Sequence, residues 1–146
     1  MDAKGDVVEQ FLSWFHATRL KPAGYKKKGH AFSRKRADFS ERIQLQGSAW
    51  NDGKGPWRFY VNFGILFDGV PPRRPDRDFP GTHCWTRIEN LVRGAPSELE
   101  LSDNQEDVAR RLAKMIEDAS TRVGREVDGL RRRYKEQGSP RLVSGA

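Results

Sequence analysis

Two hydrophobic periods divide this chain. From Trp57 to Phe67 every odd position (Trp57, Phe59, Val61, Phe63, Ile65, Phe67) is large and apolar, while Arg58, Tyr60, Asn62, Gly64 and Leu66 fall between. A period of two over that length predicts a strand with one buried face. The stretch before it alternates as well, with Ile43, Leu45, Gly47 and Ala49 against Arg42, Gln44, Gln46 and Ser48. Between them Asn51, Asp52, Gly53, Lys54, Gly55 and Pro56 supply turn residues and a proline that stops a ladder. Residues 40–67 therefore read as a hairpin, with Phe63, Ile65, Ile43 and Leu45 as its core seam. The loop is too long for a two-residue turn, so it does not set the register.

On either side the period lengthens. Over residues 6–20, Val7, Val8, Phe11, Leu12, Phe15 and Leu20 form a stripe at helical spacing. Asp6 with Glu9 has capping-box spacing, and Pro22 and Gly24 end the segment. From Asp103 a second stripe runs through Val108, Leu112, Ile116, Ala119, Val123, Val127, Leu130 and Tyr134. Ser102 with Gln105, or Asp103 with Glu106, offers its cap. Gly124 and Gly129 each cost about 1 kcal/mol against alanine, which leaves room for a break near Gly124. The stripe fits packing on a sheet, with dimerisation through its far half as the alternative.

The remaining segments complete an outline. Tyr25 is expected under the first helix, and Lys26, Lys27 and Lys28 in a connection. A strand over 31–36 then joins strands over 41–49 and 57–67 in a meander. A proline-rich loop over 68–82 leads to a short fourth strand at 83–88. The expected class is α+β: an N-terminal helix, a three- to four-stranded antiparallel meander, and a long C-terminal helix packed on one sheet face. Residues 1–137 read as one domain and 138–146 as a flexible basic tail.

Composition suits that outline. A chain of 146 residues, 32% of them charged, can bury a core without staples. Cys84 is the only cysteine, so no intramolecular disulfide forms and a reducing compartment is expected. No apolar run approaches the ~18 residues of a membrane span, and MDAKGDVVEQ lacks a signal-peptide layout. These features point to a cytoplasmic protein with no membrane partner; nothing in the sequence sets its oligomeric state.

Charge adds a partner class. The net charge is +7, and residues 19–36 hold eight basic side chains and no acidic one. Lys26, Lys27, Lys28, Arg34, Lys35 and Arg36 lie there, and Arg73, Arg74 and Arg77 in the proline-rich loop extend the set. A clustered positive field attracts nucleic acid, phosphorylated ligands or an acidic protein face. The same residues also fit a solvated basic surface.

Catalytic chemistry finds little purchase. His16, His30 and His83 are far apart and one cysteine makes no zinc pattern, so no metal and no cofactor is expected. His83 and Cys84 are neighbours, which on a strand sends their side chains to opposite faces. Phosphate-loop, nucleophile-elbow and dinucleotide motifs are absent from the sequence. One constellation remains on the sheet face opposite the seam: Gln44, Gln46, Ser48, Tyr60 and Asn62, with Arg87 from the fourth strand. These residues suit recognition and include no general base. They equally suit an internal hydrogen-bond network or a plain solvent face. Trp50 and Trp57 flank the turn, as interface anchors or as the closure of the hairpin end.

Several of these residues fall into a known order. Gly24-Tyr25-Lys26-Lys27-Lys28-Gly29 followed by Phe32 and Arg34, then Gln46, Ser48 and Trp50, then Phe59, Val61, Asn62 and Gly64, then His83, Cys84, Arg87, Ile88 and Leu91, resemble the domain-of-unknown-function family 4304. The resemblance covers residues 7–92 and implies a small bacterial α+β domain; it brings no established activity. Two function classes follow. One is a non-enzymatic binding module that holds a protein or nucleic-acid partner, by analogy in a toxin-immunity or phage-defence setting. The other is a small enzyme or ligand-binding domain acting on an anionic substrate through Arg87, Asn62 and Gln46. A deep pocket lined by those three residues favours the second class; a shallow convex sheet favours the first.

Overall fold

A computed structural model describes residues 3–48, 56–71, 79, 81–101, 104–138 and 141–142. The period-two stretches fold as β3 (Phe39–Gly47) and β4 (Trp57–Phe67), paired antiparallel with Ile43 opposite Phe63 and Leu45 opposite Val61. The expected seam of Ile43, Leu45, Phe63 and Ile65 is buried, each residue at most 1% exposed. Trp50 and the turn at 51–55 lie outside the described residues.

The sheet is larger than the pattern suggested, with six strands rather than three or four. β2 (Ala31–Lys35) pairs with β3, and β5 (Cys84–Arg87) pairs with the middle of β4. The two additional strands are short. The lysine run expected in a connection is β1 (Lys26–Lys28), the edge strand beside β2. β6 (Leu99–Leu101) pairs with β4 at Trp57, Arg58 and Phe59, beyond the end of β5. All pairs are antiparallel.

Both helices pack on one side of this sheet. α1 (Ala3–Phe15) starts before Asp6, which is therefore inside the helix and not its cap. A π-helical turn (His16–Leu20) and a 3-10 turn (Lys21–Ala23) follow, and Gly24 ends the run at φ +97°, a conformation that favours glycine. Val8, Phe11, Leu12, Phe15 and Leu20 are buried, but Val7 is 45% exposed and does not belong to the stripe. Phe15 meets Phe32 of β2 edge-on, with ring centroids 6.0 Å apart.

α2 (Gln105–Gln137) runs unbroken across Gly124 and Gly129. Asn104 caps it, its Oδ1 accepting from the Asp107 amide at 3.0 Å. The two capping boxes expected one and two residues earlier begin at Ser102 and Asp103, outside the described residues. Every residue of its stripe from Val108 to Tyr134 is buried. The far half packs within the chain, with Tyr134 6.0 Å from Phe67 of β4, so it is not left open for a dimer. Beyond α2, Arg141 bridges to Trp85, and the Leu142 amide donates to the Trp85 carbonyl at 3.2 Å. Leu142 is 1% exposed. Among the described residues no helix is long and apolar enough to cross a membrane.

Candidate functional site

Residues directly opposite one another on paired strands share a face of the sheet. Register therefore maps the face that the helices leave uncovered. One row crosses five strands as Lys28, Ala31, Gln44, Asn62 and Arg87. The next parallel row is Lys26, Ser33, Arg42, Gly64 and Trp85. Gln46 stands opposite Tyr60, and Arg58 opposite Glu100. Lys26, Lys28, Gln46, Arg58 and Glu100 are exposed.

Five of the six polar residues singled out from the sequence meet here. The Asn62 side chain is the hub, and it is fully buried although it faces away from the helices. Its Nδ2 donates to Gln44 Oε1 at 3.1 Å and to Gln46 Oε1 at 3.0 Å. Its Oδ1 accepts from Arg87 Nη1 at 2.9 Å, and the same Nη1 donates to Gln46 Oε1 at 3.2 Å. The Arg87 guanidinium lies over the Tyr60 ring, 4.2 Å from its centroid. That stacking, with the bond to Asn62, fixes a cation on the sheet surface. Ser48, the sixth residue, is buried just past β3, its amide donating to the Arg58 carbonyl at 2.9 Å.

The basic residues divide between the two faces. Lys26 and Lys28 lie on the uncovered face, and Lys35 joins the same face opposite Ser40 but pairs with Asp68. Arg42 leans over Phe79, 5.8 Å from the ring, and covers one corner of the sheet. Lys27 shares the helix-covered face with Phe32 and lies 4.0 Å from Glu9. Arg34 and Arg36 belong to the helix side as well. Arg73, Arg74 and Arg77 lie outside the described residues.

Arg34 and Arg36 converge on a carboxylate that the sequence reading passed over. Glu41 occupies an inward position of β3, between Phe39 and Ile43, and is fully buried. Its Oε1 accepts from the Tyr25 hydroxyl at 3.0 Å and from Arg34 Nε at 2.9 Å. Its Oε2 accepts from Arg36 Nη1 at 3.1 Å and from the Ser120 hydroxyl of α2. Burial pushes the Tyr25 phenol well above its ordinary range, and the Glu41 charge pushes the same way. A signal was present in the sequence: an acidic residue at an inward register position, with Arg34 opposite it on the neighbouring strand and Arg36 just past that strand's end. Ser120, on a distant helix, had none.

His83 and His16 are tied into the fold by hydrogen bonds to the backbone. His83 Nδ1 accepts from the Phe67 amide at 2.9 Å, which leaves Nε2–H to donate to the Val70 carbonyl at 2.8 Å. Burial lowers its pKa from 6.5, with the Val70 bond opposing. His16 Nε2 bonds the Tyr25 carbonyl at 2.8 Å. Among the described residues no group of His, Cys, Asp or Glu is arranged to hold a metal ion.

A family model with the description "Domain of unknown function (DUF4304)" matches residues 16–126, reaching well into α2. No curated protein and no solved structure matches the chain.

Proposed function

The chain belongs to the DUF4304 family, and from that premise we propose that it is a binding module holding an extended polyanion, single-stranded nucleic acid foremost, across the helix-free face of its sheet. One observation carries the reading. The cross-strand register lays Lys26 and Lys28 of β1 on the same face as the Arg87–Asn62–Gln46 cluster, with Arg58 beyond. Glu100 is the acidic residue that the register adds to those rows. Adjacent strands are about 4.8 Å apart, so the row from Lys28 to Arg87 spans roughly 20 Å, the reach of a few nucleotides. Cations along such a row meet phosphates, and the exposed Gln46 amide reaches base edges. Phosphate contacts of this kind give weak affinity that falls steeply with salt and carries little sequence preference.

The reading as a small enzyme has less support. Asn62 and Arg87 Nη1 are committed to one another and to Gln46. A cleft of about 570 Å³ lies instead on the helix-covered side, lined by Tyr25, Arg34, Arg36 and Ser120 and not by Asn62, Arg87 or Gln46.

Fluorescence anisotropy of labelled single-stranded DNA and RNA at about 50 and 200 mM salt tests the proposal. Binding is expected at the lower salt and much weaker at the higher. Lys26→Ala with Lys28→Ala should weaken it; Lys27→Ala, on the other face, should not. Absence of binding at the lower salt, or equal loss in the pair and in Lys27→Ala, would overturn it.

A further inference from the structure

A second site lies on the opposite, helix-covered side of the sheet. A cleft of about 570 Å³ opens between the turns at residues 16–23 and the middle of α2. Arg34, Arg36, Tyr25 and Ser120 line its polar side, and Leu20 and Ile116 its apolar side. That size and mixture suit a small molecule. We propose that this cleft binds a small anion, a carboxylate or phosphate carried on a compact apolar body, with Arg36 as its principal donor.

The charges around the floor do not balance. Glu41 brings one negative charge against the two guanidiniums of Arg34 and Arg36. Tyr25 stays a neutral phenol at ordinary pH and adds none. At the mouth Arg19 pairs with Glu106, and Glu117 on α2 lines the rim. Glu117 balances the cleft as a whole, so the surplus positive charge is local to the floor, where partial desolvation makes it attract an anion more strongly than the same charge on an open surface.

The donors are distributed unequally too. Arg34 commits Nε to Glu41, Nη1 to the Ala23 carbonyl at 3.0 Å and Nη2 to Ser120 at 2.6 Å. Arg36 commits Nη1 alone, to Glu41 and to Ser120 at 2.8 Å. Among the described residues its Nε and Nη2 donate to nothing, while its side chain is 34% exposed. Nη2 lies beside Gly124, where a Cβ would come within 3.2 Å, so glycine leaves the guanidinium room. Glu41 and Ser120 thus hold Arg36 in place before a ligand arrives, which lowers the ordering cost of binding.

The probes are benzoate and phenyl phosphate, with benzyl alcohol as the uncharged control, each titrated calorimetrically into the full chain. Saturable binding of at least one anion is expected, and the stronger of the two identifies the headgroup. Arg36→Gln should weaken it at least tenfold. Ala113→Phe narrows the cleft from α2 without touching the Glu41 cluster and should do the same. Lys26→Ala with Lys28→Ala should leave anion binding intact, which separates this site from the sheet face. Equal binding of benzyl alcohol, no binding of either anion by the wild type, or unchanged binding in a folded Ala113→Phe variant would overturn the proposal. The last result decides the matter even if Arg36→Gln fails to fold.

Discussion

Replacing Glu41 with glutamine keeps the shape of the side chain and removes its charge. The carboxylate is fully buried and accepts from Tyr25, Arg34, Arg36 and Ser120. Glutamine offers one acceptor oxygen and turns an amide toward donors that need an acceptor. It also leaves two guanidiniums facing each other without a counter-charge. Removing one partner of a buried ion pair costs about 3–5 kcal/mol. The low end applies, because Arg34 and Arg36 remain 23% and 34% exposed and water can solvate part of what is lost. A loss of about 3 kcal/mol at this chain length lowers the melting temperature by roughly 10 °C. Urea unfolding followed by circular dichroism measures it. A companion with Glu41→Leu, Arg34→Met and Arg36→Met together should recover most of the loss, since apolar replacement of a whole buried cluster is often close to neutral. A Glu41→Gln loss below about 1 kcal/mol would refute the electrostatic argument.

His83 and Gly64 supply the other tests. Neutral His83 satisfies both ring nitrogens, and its native pKa lies below 6.5, so below that pH the unfolded chain binds the additional proton. The stability it contributes is complete above about pH 6.5 and is lost as pH falls toward the native value. The urea midpoint of the wild type should therefore drop more between about pH 7.5 and 5.5 than that of His83→Gln; equal drops would contradict this. At Gly64 a Cβ would lie 2.6 Å from Thr82 Cγ2 and 3.2 Å from the Cys84 carbonyl. Gly64→Ala should cost about 1–3 kcal/mol, and adding Thr82→Ser should recover part of it; no recovery would place the clash elsewhere.

What the sequence made legible is what has a period. Eleven residues of β4 and the stripe of α2 repeat their apolar positions often enough to be recognised, and the seam and the long helix follow from them. β1 and β6 are three residues each, too short for any period to establish itself. β1 is also all lysine, as suits a strand at the sheet edge whose outer side faces water. The start of α1 was misplaced because Asp6 resembles a cap while the backbone is already helical from Ala3. At the polar face, alternation alone put Gln44, Gln46, Tyr60 and Asn62 together. The position of β1 on that face needed the pairing register, which no local pattern encodes. Glu41 showed only as an acidic residue at an inward position of its strand; its full set of partners was not legible, because Tyr25, the Arg34–Arg36 pair and Ser120 come from three separate places in the chain.

The most direct test of the binding proposal is to map where a polyanion touches the protein. Backbone amide shifts of the labelled chain, followed by NMR during titration with a short single-stranded oligonucleotide at about 50 mM salt, report that contact residue by residue. The account expects the perturbed amides to gather in β1, in β3 at Gln44 and Gln46, in β4 from Arg58 to Asn62, and at Arg87 in β5, and to fade as salt is raised. Shifts concentrated instead along α2 or around the Glu41 cleft, with those strands unmoved, would contradict it.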